Sequence, residues 1–265
     1  MKEKRFFIAC IIFVIIFKVD KINALGLDLM SSPTIISTGE IYLLSDSPET
    51  AFYQPAKSIE GISLSHSNPH GFWELNVFQL ASQFRVFNEV FSAGAFVLEN
   101  NHISEKTLYL GYAKSINNIS LGANIKYYNQ GINNYDTLDA FTLNVGAIWE
   151  IGAFCHGMSY SNISHTSRAG IDLPTIFKYE CMIMPFEKTR FALSLEKERG
   201  FEMKYCFAVS HELTNNLKIN TGFGSHPAQF SAGMYLELNP IDVSVGIRTH
   251  GELGFTQAVG IIYGF

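Results

Sequence analysis

Two pairings of serine with histidine are the first candidates for chemistry. His156 lies three positions before Ser159, and His66 stands between Ser65 and Ser67. A serine within reach of a general base can act as a nucleophile. In an extended strand, however, successive side chains point to opposite faces, so partners one or three positions apart do not meet. The chain has no Gly-x-Ser-x-Gly elbow. It also lacks His-Glu-x-x-His, a phosphate-binding loop and a dinucleotide fingerprint. His102, His165, His211, His226 and His250 are scattered near expected strand ends and read as rim or turn residues. The expectation is a protein that is not an enzyme and needs no cofactor or metal.

A second set of reactive residues is ionic. Lys178, Glu180, Glu202, Lys204, Lys218, Asp242 and Arg248 fall on the polar phase of segments whose other phase is apolar. Ionisable groups at membrane depth must face water or pair with one another. Their mixed signs point to a paired network across neighbouring strands that braces material in a lumen. A path for a polar solute is the sharper alternative.

The elements that position these residues are read from a period of two. Along 241–248, Ile241, Val243, Val245 and Ile247 alternate with Asp242, Ser244, Gly246 and Arg248. The same rhythm runs through 119–127, 141–149, 201–210 and 230–238. Weaker segments lie near 59–66, 72–86, 90–99, 106–114, 153–163, 174–184, 189–196, 217–224 and 253–265, giving about 14 strands in all. The segment 72–86 changes phase near Phe78, where a bulge is expected. A strand of about 10 residues, tilted, matches the height of a lipid-facing band. Hydrophobic residues make up 47% of the chain and charged residues 16%, yet beyond the first residues no apolar run spans a bilayer as a helix.

That first stretch reads as an export signal. Lys2, Lys4 and Arg5 precede an uncharged apolar run over 6–17, too short for a spanning helix, and Ala24 suits a cleavage site. Without residues 1–24 the chain carries 14 basic and 22 acidic residues, a net charge of −8. No basic stripe exists to meet nucleic-acid phosphates. Cys155, Cys181 and Cys206 are an odd, widely spaced set, expected to pack as small apolar residues.

Turn formers at 88–89, 117–118, 151–152, 187–188, 215–216 and 239–240 alternate with longer connections, as short periplasmic turns alternate with extracellular loops. At the C-terminal end, Phe255, Val259, Ile261, Tyr263 and Phe265 share one face. That pattern resembles the sorting signal read by the barrel assembly machinery. At the other end, residues 25–58 have mixed polarity, and Ser47-Pro48 predicts the start of a short helix. Eight-stranded barrels are filled by their own side chains and 16–18-stranded porins are open, so a lumen of intermediate size needs contents. The expectation is that residues 25–58 plug or line it. A loose periplasmic tail is the alternative.

Two passages carry a family resemblance. Ser45-Asp46-Ser47-Pro48-Glu49-Thr50-Ala51-Phe52-Tyr53-Gln54-Pro55-Ala56 looks like the early segment of the PorV/PorQ-like relatives of the FadL family, with Gln54 in place of an asparagine. Gly222-Phe223-Gly224, Ser231-Ala232-Gly233, then His250 to Thr256 and the closing Tyr263-Gly264-Phe265, is similar to that family's C-terminal pattern. The resemblance implies a 14-stranded outer-membrane barrel with an N-terminal insert, in which Gln54, Pro55 and Ala56 belong to the plug. FadL resemblance implies a passive channel for small or hydrophobic solutes. PorV/PorQ resemblance implies an accessory or anchoring barrel of a secretion system.

The fold expected is therefore all-β: a closed antiparallel transmembrane β-barrel of about 14 strands over residues 59–265, exported by residues 1–24 to the bacterial outer membrane. Its expected partners are outer-membrane lipid, the assembly machinery, and either hydrophobic solutes or secretion-system proteins. A lateral gap with an apolar lumen favours the channel, and a filled lumen with an apolar loop rim favours the accessory barrel.

Overall fold

The computed structural model describes residues 32–100, 103–132, 137–163, 167–168 and 171–265. The export signal expected over 1–24 and the beginning of segment 25–58 lie outside the described residues. The strands in chain order are β1 (Gly61–Asn68), β2 (Asn76–Val86), β3 (Glu89–Glu99), β4 (Ile103–Ile116), β5 (Ile119–Ile132), β6 (Leu138–Ile151), β7 (Phe154–Ser161), β8 (Ser167–Arg168), β9 (Ile171–Asp172), β10 (Ile176–Phe186), β11 (Thr189–Glu198), β12 (Met203–Glu212), β13 (Leu217–Gly224), β14 (Gln229–Glu237), β15 (Ile241–His250) and β16 (Gly254–Tyr263). Fourteen of them close into one antiparallel barrel, while β8 and β9 pair as a small hairpin within the loop between β7 and β10. Closure is made by β1 and β16, in register from Ile62 opposite Tyr263 to Asn68 opposite Gln257. Every wall strand thus has two neighbours, which satisfies its backbone N–H and C=O groups where no water can.

The alternation read from the sequence becomes two faces. On β15, Ile247 is 50% exposed, whereas Ser244 and Arg248 are buried. The outward residues all round the wall are large and apolar, among them Leu110, Ile125, Phe141, Leu193, Phe207 and Val259. A continuous apolar surface of this kind is a lipid-facing belt, since soluble chains expose only small apolar patches. Among the described residues no helix is long and apolar enough to cross a membrane; strands make the crossing.

The two ends of the barrel differ. At the end holding both termini of the wall, hairpins are tight, with Asn117 at φ 54° and Gly152 at φ 61° supplying the left-handed backbone that such turns need. At the other end β4, β5 and β6 run 14 residues each and stand above the 8-residue β1 and β7. Two sequence expectations are corrected here. The bulge near Phe78 is absent: residues 72–75 belong to the β1–β2 loop, and β2 pairs in continuous register with β3 from Asn76 to Val86. The irregular pairing lies instead between Ile183 and Phe186 on β10, where Pro185 has no N–H to offer the ladder.

Candidate functional site

Residues 32–58 run inside the barrel. A short helix, α1 (Pro33–Ser37), is followed by 3-10 turns at Tyr42–Leu44 and Pro48–Phe52. The second begins where Ser47-Pro48 predicted a helix, with the Ser47 hydroxyl accepting from the Glu49 N–H at 3.4 Å. Nearly every described residue from Ser32 to Ala56 is buried.

Close approach of this segment to the wall requires glycine at several places, two of which show it most plainly. A Cβ on Gly246 of β15 would lie 2.4 Å from the Pro33 carbonyl oxygen. One on Gly122 of β5 would lie 2.3 Å from that of Pro55. Both obstacles are backbone, so neither can swing aside. The motif residues Gln54, Pro55 and Ala56 therefore seat on the β5–β7 side, where Gln54 Nε2 donates to the Met158 carbonyl at 3.0 Å and Asn124 Nδ2 donates to the Ala51 carbonyl at 2.7 Å.

Charge holds the opposite side. Glu40 is clamped between Lys204 of β12 and Arg248 of β15. Asp46 lies 2.6 Å from the Lys218 ammonium of β13 and 3.3 Å from the Arg190 guanidinium of β11. Glu180 of β10 accepts from the backbone N–H groups of Tyr42 at 2.7 Å and Leu43 at 3.0 Å. Lys178 pairs with Glu196 at 2.7 Å and sits 4.1 Å over the Tyr42 ring. Burial would raise the Glu40 and Asp46 carboxyls, but the flanking cations outweigh it and hold both below the usual carboxylate range. A carboxylate taken out of water stays charged only when it is paired in this way.

Of the seven charges read from strand phase, Lys178, Glu180, Lys204, Lys218 and Arg248 thus meet the lumenal segment. Asp242 is half-buried and stays within the β14–β15 hairpin, accepting from the Tyr235 hydroxyl at 2.7 Å and the Leu238 N–H at 3.2 Å. Glu202 does not face the lumen. It precedes β12, its side chain is 79% exposed, and it lies 3.1 Å from His226 in the β13–β14 loop. Beyond the end of a strand, phase no longer selects a side. Arg190 and Glu196 were missed, although the outward Phe191, Leu193 and Leu195 put both on the inner phase of β11. Phe255, Val259, Ile261, Tyr263 and Phe265 are all at least 46% exposed, so the face expected to carry the assembly signal is outward.

One part of the lumen is apolar. Phe52 and Tyr53 of the segment pack with Ile35, Ile36, Val77, Ala81, Phe96, Leu98 and Tyr109, and Leu75 joins this cluster from the β1–β2 loop. Lys126 lies 3.5 Å over the Phe52 ring. Leu75 also lines a cleft of about 540 Å³ at the loop end, together with Gly71, Phe72, Trp73, Glu74 and Asn100. Trp73 is 88% exposed at its rim. Neither Ser/His pair is assembled: His66 Nε2 donates to Asn76 Oδ1 at 3.1 Å, and His156 shares a hydrogen bond with the Tyr179 hydroxyl at 2.8 Å.

Fold and site together define a closed, internally plugged membrane β-barrel. Among solved structures, the chain is similar to the CymD monoaromatic hydrocarbon channel, with 10% identity and a TM-score of 0.59 over 91% of this chain and 99% of that one. It is likewise similar to the TodX monoaromatic hydrocarbon channel, as a deltaS2 mutant, with 9% identity and a TM-score of 0.64 over 91% and 100%. Likeness at such identity is a likeness of fold. No family model matches the chain, and no curated protein resembles it in sequence.

Proposed function

We propose that this protein is an outer-membrane channel for small hydrophobic solutes, closed at rest by residues 32–58. The observation that carries the reading is the continuity of apolar surface from the outer cleft, through Leu75, to the buried cluster around Phe52, Phe96 and Tyr109. A solute leaving water at Phe72 and Trp73 meets Leu75 and then the rings of Phe52, Phe96 and Tyr109, with Glu74 and Asn100 at the cleft, Lys126 over the Phe52 ring, and the Glu40 and Asp46 clamps on the opposite wall. Burial of an aromatic ring on such surface is favourable by about 25 cal/mol per Å². The two hydrocarbon channels of like fold support the same reading. Since the wall is closed in register, passage requires the segment to shift. Toluene titrated into the detergent-solubilised protein should quench Trp73 fluorescence saturably, with Trp149 removed by substitution, and Leu75→Asp should abolish the response. A linear, unsaturable response in the unsubstituted cleft argues against the proposal.

A second reading rests on its own observation. A filled lumen together with the exposed Phe72 and Trp73 rim also suits an accessory barrel that docks a secretion-system protein on its loops. In that case Trp73→Asp abolishes partner capture while solute uptake stays at background.

A further inference from the structure

The lumenal segment holds a carboxylate that the cationic clamps do not reach. Glu49 is 1% exposed, in the turn Pro48–Phe52. Four hydroxyls converge on it, from Ser32 and Ser47 of the segment and from Ser63 and Ser65 of β1. Even so, Glu49 Oε2 and the Oγ atoms of Ser63 and Ser65 are buried without a well-formed hydrogen bond. Among the described residues, no cation of the wall is paired with it. β2 and β3 offer Val77, Gln79, Ala81, Gln83 and Phe96 inward, and the Tyr109 hydroxyl of β4 is close enough to feel its charge. The basic groups of the interior are engaged elsewhere: Lys57 donates to the Leu43 carbonyl at 2.9 Å, and Lys126 covers Phe52.

Three buried oxygens without a well-formed partner, one of them on a carboxylate, define a donor set. Oxygen-only ligands favour hard cations over soft metals. A single carboxylate balances one positive charge, whereas divalent ions usually collect more. We propose that Glu49 with Ser32, Ser47, Ser63 and Ser65 binds one small alkali cation, sodium-sized, that ties the lumenal segment to β1. The site lies at the seam it would close: Gln83 Nε2 donates to the Pro48 carbonyl at 2.9 Å, and Gln83 Oε1 accepts from the Ile59 N–H at 3.1 Å. Burial, only partly offset by the serine hydroxyls, pushes the Glu49 carboxyl up to about 7. Protons therefore compete with the metal below neutral pH.

The test is hydrogen exchange, read by mass spectrometry, on the full mature protein in detergent at pH 8. Sodium chloride is compared with choline chloride at equal ionic strength. Peptides covering 45–53 should exchange at least fivefold more slowly in sodium, with strand peptides unchanged. Glu49→Gln and, separately, Ser63→Ala/Ser65→Ala should each remove the sodium effect. Equal protection in both salts overturns the proposal. So does protection that follows pH alone, after correction for intrinsic rates, because the neutralising charge is then a proton. A sodium effect that persists in both variants places the ion elsewhere and overturns it too.

Discussion

The Lys218 ammonium of β13 lies 2.6 Å from the Asp46 carboxylate of the lumenal segment, 172 positions earlier in the chain. That contact, with its Arg190 partner, joins plug to wall through one bridging carboxylate. Lys218→Met should weaken the seating of the segment by about 1–3 kcal/mol, since it strips one cation from a charge that is only partly exposed. Pairing it with Asp46→Asn should restore much of the loss, as expected for coupled groups. Trypsin cleavage at Lys57 in detergent reports the seating: faster in the single variant, nearer the wild-type rate in the double.

Steric seating gives a second outcome. Gly122→Val places side-chain atoms where the Pro55 carbonyl stands, and Gly246→Val does the same at Pro33. Both positions face the lumen, so the lipid belt is untouched. The barrel should still assemble, as judged by heat-modifiable gel migration, while the segment becomes protease-accessible and bilayer conductance rises.

Face assignment gives a third. Arginine on the lipid side costs about 2–4 kcal/mol at the bilayer midplane. Val245→Arg should block assembly. Ser244 is buried on the inner face, beside the space between Gly260 and Pro33. Ser244→Arg should therefore assemble and displace α1, giving a leaky barrel. Equal assembly of the two variants contradicts the orientation of β15.

The fourth outcome concerns pH. Asp46 and Glu40 are held below their ordinary values, so their contribution to seating is full above about 4.5 and is lost as pH falls through their lowered values. Glu49 is raised, so its contribution is full below 4.5 and is lost as pH rises through about 7. In choline buffers, protease resistance of the segment should peak near pH 4.5 and decline as pH rises towards about 7. Glu49→Gln should flatten the decline on the alkaline side and leave the acid side unchanged.

Much of the wall was legible because lipid imposes one rule on one face of each strand. Ile241, Val243, Val245 and Ile247 obey it, and Arg248 on the opposite phase then had to face the lumen. The interior was less legible. Glu40, Asp46 and Glu49 lie in a segment without period, and the significance of Asp46 and Glu40 comes from contacts 172 and 208 positions away that no local pattern encodes. Glu202 was misplaced because alternation was carried one residue past the strand. Arg190 and Glu196 were within reach of the same reasoning that found Lys178 and Lys204.

The most direct measurement is uptake of radiolabelled toluene by bacteria whose outer membrane carries this protein as its introduced channel, compared with cells lacking it and with cells carrying Leu75→Asp. A plugged hydrophobic-solute channel predicts uptake several-fold above the empty strain for the wild-type protein, a return to background for Leu75→Asp, and no gain for a hydrophilic sugar of similar size. Background toluene uptake with the wild-type barrel correctly assembled, or a gain for the sugar instead, contradicts it.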